Sequence, residues 1–417
     1  MSGRRVPLPG QIRALLFTLF MSSFATVGMV TILGKQVYDM TGRAFDLGML
    51  GLAEFLPVFV LAPVAGSVAD SFDRRRVTAV ALGFEAICSF GFFAYVSTDP
   101  TSLWPIYLLV VVFGVARAFL APASRALPID LAPPHLLERV VASRSLAFQA
   151  GMISGPIVFG FVFVGHPAWP YLVAAAGFGL GAVGLRFTGP TGVARMARAG
   201  GYRQAFADAM EGLRFIRTTP ILAAAIALDL FAVLLGGAVA LLPALAEERL
   251  GVGAVGLGWL RATIGIGAGA TSLALSIRPI RRRVGPVLLA AVGLFGIATV
   301  VLGLTRSFAV AVVALLVLAG ADAVSMFIRA TIVPLATPEA MRGRVLAVEN
   351  VFIGASNELG AVESGLTAQW LGLVPAVVLG GVGTLAVVAV FWWLVPALRR
   401  VDRFAEVQPA VTDGPAP

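Results

Sequence analysis

Charge is what this sequence has least of. Only 13% of its 417 residues are Asp, Glu, Lys or Arg, against 59% hydrophobic, whereas a soluble domain carries about 25% charged residues. So few charges cannot cover a water-facing surface, and a mean hydropathy of +0.92 is too high for one anchor on a soluble body. Cysteine is nearly missing as well: Cys88 stands alone, which excludes an intrachain disulfide framework. Histidine occurs only at His135 and His166, both in segments between apolar stretches, where a surface position is the plainer reading than a ligand. No metal-ligand cluster, Walker sequence or nucleophile triad is present. Metal chemistry, ATP hydrolysis and covalent catalysis are therefore unsupported, and no enzyme activity or cofactor is expected. The basic excess, net +9, would suggest nucleic acid in a soluble protein. Here the arginines fall in short runs between apolar segments with no interleaved aromatics, so membrane topology explains them better.

What is abundant is long apolar sequence. A spanning helix needs about 20 mostly apolar residues. Such segments lie near 12–38, 46–70, 77–97, 103–127, 140–164 and 168–187, then 220–246, 254–278, 285–304, 308–334, 344–370 and 374–397. The fold class predicted is an all-α integral membrane protein of 12 transmembrane helices in two six-helix bundles. The bundles occupy 1–187 and 220–397, joined by a central loop at 188–219 and followed by a disordered tail at 398–417. The first apolar stretch runs on to about Tyr38, past the length of a signal peptide's apolar region and without a small-residue cleavage site, so it reads as a span.

Orientation follows from the basic residues of the loops. With the N-terminus in the cytoplasm, 24 of the 31 fall on the cytoplasmic side, in runs such as Arg74–Arg76 and Arg281–Arg283. Lys35, Arg43, Arg249, Arg261 and Arg306 fall on the other side, and Arg117 and Arg329 remain inside spans. Both termini are expected in the cytoplasm of a bacterium, the chain lying in its inner membrane. In the central loop Tyr202, Phe206, Met210, Leu213 and Ile216 recur at helical spacing among Arg203, Asp208, Glu211 and Arg214. That amphipathic pattern fits a helix lying in the membrane interface, or one packed on the bundle's cytoplasmic face.

The halves repeat. Leu127-Pro128, Ala132-Pro133 and Glu138-Arg139-Val140 return as Val333-Pro334, Thr337-Pro338 and Gly343-Arg344-Val345, offset by 205–206 residues. An even number of spans per repeat gives both halves one orientation, a parallel repeat of the kind that places a transporter's site at the repeat interface.

Two motifs connect this architecture to a family. The loop after the second span, Gly66-Ser67-Val68-Ala69-Asp70-Ser71-Phe72-Asp73-Arg74-Arg75-Arg76, resembles the major facilitator superfamily signature G-x-x-x-D-R-x-G-R-[RK]. Ser71 replaces its first arginine and Asp73 its second glycine. The fifth span carries Gly151, Gly155, Pro156 and Gly160, similar to the antiporter motif G-x-x-x-G-P-x-x-G-G, with Phe159 in place of a glycine. The runs Glu211–Ile216 and Pro338–Val345 resemble a bacterial branch of siderophore and drug exporters. The resemblance implies that Gly66, Asp70, Arg74 and Arg75 gate the cytoplasmic side, Asp70 against the start of the eleventh span, whose N-terminus carries partial positive charge. A basic loop that only sets orientation is the alternative. It also implies a hinge at Gly151, Gly155 and Pro156, where small residues admit a close helix and proline permits a bend.

Ionisable groups deep in spans are costly and usually functional. Arg117 and Asp322 each lie 14 residues inside the outer end of a span, about 21 Å down, and are 205 residues apart, equivalent positions of the two repeats. Arg329 lies two turns past Asp322, and Asp229 lies in the seventh span. A carboxylate whose affinity for a proton rises on desolvation and falls beside arginine can bind and release one as access changes. Asp322 or Asp229 is the expected proton carrier, with Arg117 as modulating partner; a permanent ion pair fixing helix packing is the alternative. Glu54, Glu85, Glu358 and Glu363 are secondary. The expected function is proton-coupled export of an amphiphilic small molecule by a monomer in contact with membrane lipids. An uncoupled facilitator or importer, a lipid scramblase and a non-transporting sensor remain as alternatives.

Overall fold

The computed structural model describes residues 8–191 and 201–407, without the side chains of 201–203 and 205. The Tyr202 and Arg203 side chains, the loop arginines Arg195 and Arg198, and the tail from residue 408 lie outside the described residues. The chain runs α1 (Gly10–Thr41), α2 (Ala44–Ser71), α3 (Arg74–Val96), α4 (Trp104–Leu131), α5 (Leu137–Gly165), α6 (Trp169–Gly184), α7 (Gly201–Thr218) and α8 (Pro220–Leu235). It continues with a single turn α9 (Leu242–Ala244), then α10 (Gly253–Ile277), α11 (Val284–Leu304), α12 (Phe308–Leu335), α13 (Glu339–Leu371), α14 (Leu373–Leu394) and α15 (Pro396–Arg399). Among the described residues there is no strand.

Ten of these helices are long and apolar enough to cross a membrane. Two predicted spans are not among the ten, each for a physical reason. The eleventh, α13, is 33 residues long but carries Glu349, Glu358 and Glu363 among its apolar residues. The seventh is interrupted: α8 stops at Leu235, and Gly236-Gly237 lead through short turns to Arg249. Counted with α8 and α13, the helices match the twelve segments read from the sequence. Arg261, counted above with the cations of the outer side, lies eight residues inside α10, about 12 Å from its start.

The chain divides into two compact units: residues 1–40, 53–199 and 252–262 form one, and 41–52, 200–251 and 263–417 the other. In the first, α3 packs on α4 and α6. Glycines bring α5 against α1: a Cβ on Gly155 would strike the Phe24 carbonyl and lie 3.1 Å from the Gly28 backbone nitrogen. Asp73, standing where the family signature has glycine, caps α3 by accepting from the Arg75 N–H at 2.9 Å, as N-cap carboxylates do. In the second unit, α11 packs on α12 and α14, and α8 on α13 and α14.

The chain turns 103° between α7 and α8, at an extended Thr219 before Pro220, since proline disfavours helical backbone in the residue before it. Leu213 and Ile216 of α7 pack into the second unit's core with Val345 and Val348 of α13, while Phe206 and Met210 stay exposed. The stretch from 398 to 407, expected as disordered tail, is ordered. Leu398, Val401 and Val407 are buried, and the Val284 and Gly285 N–H groups donate to the carbonyls of Asp402 and Val401. The tail thus supplies acceptors to the otherwise unpaired first turn of α11.

Candidate functional site

Two clusters of charge lie within the apolar helices, one in each unit. In the second unit Arg329 of α12 is 5% exposed. Its Nη2 donates to Asp229 Oδ1 of α8 at 2.7 Å, and its Nη1 lies 3.9 Å from Glu349 Oε1 of α13. The Arg329 Nε is buried without a hydrogen-bond partner. Asp322, two turns back along α12, lines a small crevice with Asp229, Ser325 and Phe295, and the Ser325 hydroxyl is buried without a partner. Three carboxyl groups thus surround one guanidinium. A single cation balances one of them, and burial makes any further negative charge costly.

In the first unit Arg117 of α4 lies 3.3 Å from Glu54 Oε1 of α2, both partly exposed, with the guanidinium over the Phe113 ring at 5.8 Å. The Glu54 turn approaches α4 because Gly114 carries no side chain; a Cβ there would strike the Glu54 carbonyl. Glu85 of α3 is fully buried, and neither carboxylate oxygen has a hydrogen-bond partner. Its charged neighbours are Arg117 and Glu54. Arg117 and Arg329 therefore each have acids within their own unit, Arg117 with Glu54 and Glu85, Arg329 with Asp229, Glu349 and Asp322.

The motif residues form a third group. Arg74 donates to Asp70 at 2.9 Å, to both oxygens of Asp130 at 3.0 and 3.2 Å, and to the Ala69 carbonyl at 3.1 Å. Asp70 itself is half exposed, and Arg75 donates to the Thr188 carbonyl at 2.7 Å. Gly66 has open space where a Cβ would stand, and a Cβ on Gly151 would run into Ser23. Pro156 is buried inside α5. Glu358 lies over Gly51, whose missing side chain leaves it room, and Glu363 accepts from Thr367 at 2.9 Å. In the second unit Arg344 joins Asp208 at 3.2 Å and Glu211 at 2.8 Å, tying α7 to the start of α13.

Glu349 and Asp130 were not singled out by sequence. Asp130 follows the repeated Leu127-Pro128 block, a signal that was available. Glu349 sits near the predicted start of its span, where boundary error hides depth. The described residues hold no group of three or more His, Cys, Asp or Glu able to bind a metal.

The family described as transmembrane secretion effector matches residues 20–411. The chain belongs to this family of major facilitator transporters. Among curated proteins it is similar to the enterobactin exporter EntS of Escherichia coli O1:K1, 26% identical over 404 residues and 94% of each chain. It is equally similar to EntS of Shigella boydii serotype 18, 26% identical over 400 residues with the same coverage. Among solved structures it resembles a bacterial homolog of the human lysosomal transporter Spinster, with a TM-score of 0.73 and 14% identity over 97% of this chain and 100% of that one. A POT family transporter matches with a TM-score of 0.73 and 13% identity over 94% and 98%. The protein is a multi-pass major facilitator exporter and not an enzyme.

Proposed function

We propose that this exporter moves an amphiphilic small molecule, a siderophore or drug-like compound, out of the cytoplasm in exchange for protons. It would act as a monomer in a bacterial inner membrane, with both termini cytoplasmic and two six-helix bundles rocking about a midplane site. The observation that carries the reading is the surplus of carboxyl groups around Arg329, where Asp229, Glu349 and Asp322 share one cation. A surplus acid in such a place is neutral when protonated and costly when not, so a change in water access exchanges its proton. Asp229 or Asp322 is the carrier, and the modulating arginine is Arg329. Arg117 plays the same part toward Glu54 and Glu85 in the first unit, and Glu358 is a further acid for the exchange. The similarity to enterobactin exporters supports the siderophore class. Asp70, Arg74, Arg75 and Gly66 close the cytoplasmic side in this scheme, and Gly151, Gly155 and Pro156 form the hinge. The exposed Phe206 and Met210 of α7 would rest in the lipid interface.

The test is proton movement in everted vesicles energised to acidify the interior, challenged with catecholate siderophores, cationic dyes and antibiotics. Substrate-dependent loss of the gradient that disappears in Asp229→Asn or Asp322→Asn supports antiport and identifies the carrier. Transport that persists unchanged in both variants would reject them as carriers. A second reading has its own support: the 2.7 Å contact of Asp229 with Arg329 suits a permanent structural pair. In that case Asp229→Asn lowers the yield of folded protein while the protein that remains keeps its coupling.

A further inference from the structure

Arg261 is the only charged residue of α10, and its position is unlike that of any other deep arginine here. The exposed stripe of α10 runs through Trp259, Ile266, Leu273 and Ile277, residues spaced by seven, seven and four that fall on one face of a helix. Arg261 stands two residues from Trp259, about 200° round the helix, with Leu257, Gly258 and Ala262 on the buried side. It therefore faces protein, which excludes snorkelling along lipid. On that side α10 meets α5 at backbone contact: a Cβ on Gly160 would lie 2.6 Å from the Ala254 carbonyl, and one on Gly258 would run into Pro156.

Neither helix supplies a counterion. From Ser145 to its end α5 has no charged residue, and α10 has no acid. The Arg261 Nε is enclosed without a hydrogen-bond partner, and no carboxylate among the described residues interacts with the guanidinium. Part of the residue's surface remains accessible. Arg117 and Arg329 differ, each held by acids that can take up a proton. Arginine has no such escape, since it stays charged at any physiological pH. An uncompensated cation in a span is costly, and a protein that retains one has an anion to meet it.

We propose that Arg261 binds the anionic group of the transported molecule, so that the substrate is an amphiphilic organic anion with a carboxylate, phenolate or sulfonate matched to the guanidinium fork. This deepens the export reading by naming the substrate class, and rests on that reading for its role in transport. The apolar and small residues around Arg261 receive the rest of the molecule.

The test uses two dyes on related xanthene frames, anionic fluorescein and cationic rhodamine 6G. Their equilibrium binding to purified full-length protein in detergent is followed by fluorescence polarisation. Fluorescein should bind the wild type. Arg261→Gln should weaken that binding by about tenfold or more, the scale of one lost charge-assisted contact. Arg261→Lys should recover much of it, and rhodamine 6G should bind both variants as well as it binds the wild type. The thermal midpoint of Arg261→Gln without dye should equal or exceed that of the wild type, because an unpaired charge has been removed. No fluorescein binding by the wild type, or equal binding by Arg261→Gln, would overturn the proposal. A lower midpoint with loss of both dyes would assign Arg261 to packing and also overturn it. No gradient enters the measurement, so failure of proton coupling in vesicles and failure of anion binding are separate results.

Discussion

Removing the Arg329 guanidinium would leave Asp229, Glu349 and Asp322 facing one another where Asp229 and Glu349 are almost wholly buried. Taking one partner from a buried ion pair costs about 3–5 kcal/mol, less whatever the stranded acids recover by binding protons. Arg329→Gln should therefore lower the thermal midpoint of the purified protein, and adding Asp229→Asn to it should restore part of the loss. Equal midpoints for wild type and Arg329→Gln would mean that the cluster is open to water and compensated by it. At this scale the sequence was informative about depth and poor on direction. Arg117, Asp229, Asp322 and Arg329 were found by counting residues from a span's end. Counting cannot say which neighbouring helix supplies a partner, so Glu54, which lies 3.3 Å from Arg117, ranked only as a secondary candidate. Arg261 was counted with the cations of the outer side because, eight residues into its helix, it lies nearer that end than the other.

Helices approach one another here on glycine, and the glycines are not equivalent. Gly155 is closed in by the Phe24 carbonyl and the Gly28 nitrogen, whereas Gly66 has nothing within 4 Å of where its Cβ would be. Gly155→Ala should force α5 away from α1 and reduce the yield of folded protein. Gly66→Ala should fold normally, and even gain from alanine's helix propensity, up to about 1 kcal/mol. Expression and gel filtration of the two variants check the difference, and any transport lost in Gly66→Ala then belongs to gating and not to packing.

The ordered tail makes a pH-dependent contact. The Arg283 backbone N–H, joined by the Arg282 guanidinium, holds the Asp402 carboxyl below the usual carboxylate range. A carboxyl lowered by folding contributes its stability fully above the ordinary value of about 4 and loses it as pH falls through the lowered one. Hydrogen exchange at the Val284 and Gly285 amides, corrected for intrinsic rate, should speed up in that acid range, and at neutral pH in Asp402→Ala. Protection unchanged in the variant would credit the buried Val401 and Val407 instead. A polar, proline-containing tail reads as disorder from sequence, because its buried residues are too few and too scattered to form a periodic pattern.

For the molecule as a whole, the twelve apolar segments were legible because a bilayer imposes length and composition on every span independently. The broken seventh span was less so, since its break rests on a Gly-Gly pair that a membrane helix otherwise tolerates. Orientation rests on one asymmetry, arginine in alternate loops, and leaving Arg261 out of the loop count, since it lies inside α10, takes a cation from the sparse side. The chain offers a direct way to measure it. Its one cysteine, Cys88, is buried and should ignore a membrane-impermeant maleimide, so single cysteines can be introduced without removing it. Thr98, exposed between α3 and α4, and Arg281, exposed between α10 and α11, fall on opposite sides if both termini are cytoplasmic. In intact spheroplasts Thr98→Cys should label and Arg281→Cys should not, and everted vesicles should reverse the pattern. Labelling of Arg281→Cys from outside, with Thr98→Cys protected, would invert the molecule. The arginine-rich loops would then lie on the side where the positive-inside rule disfavours them.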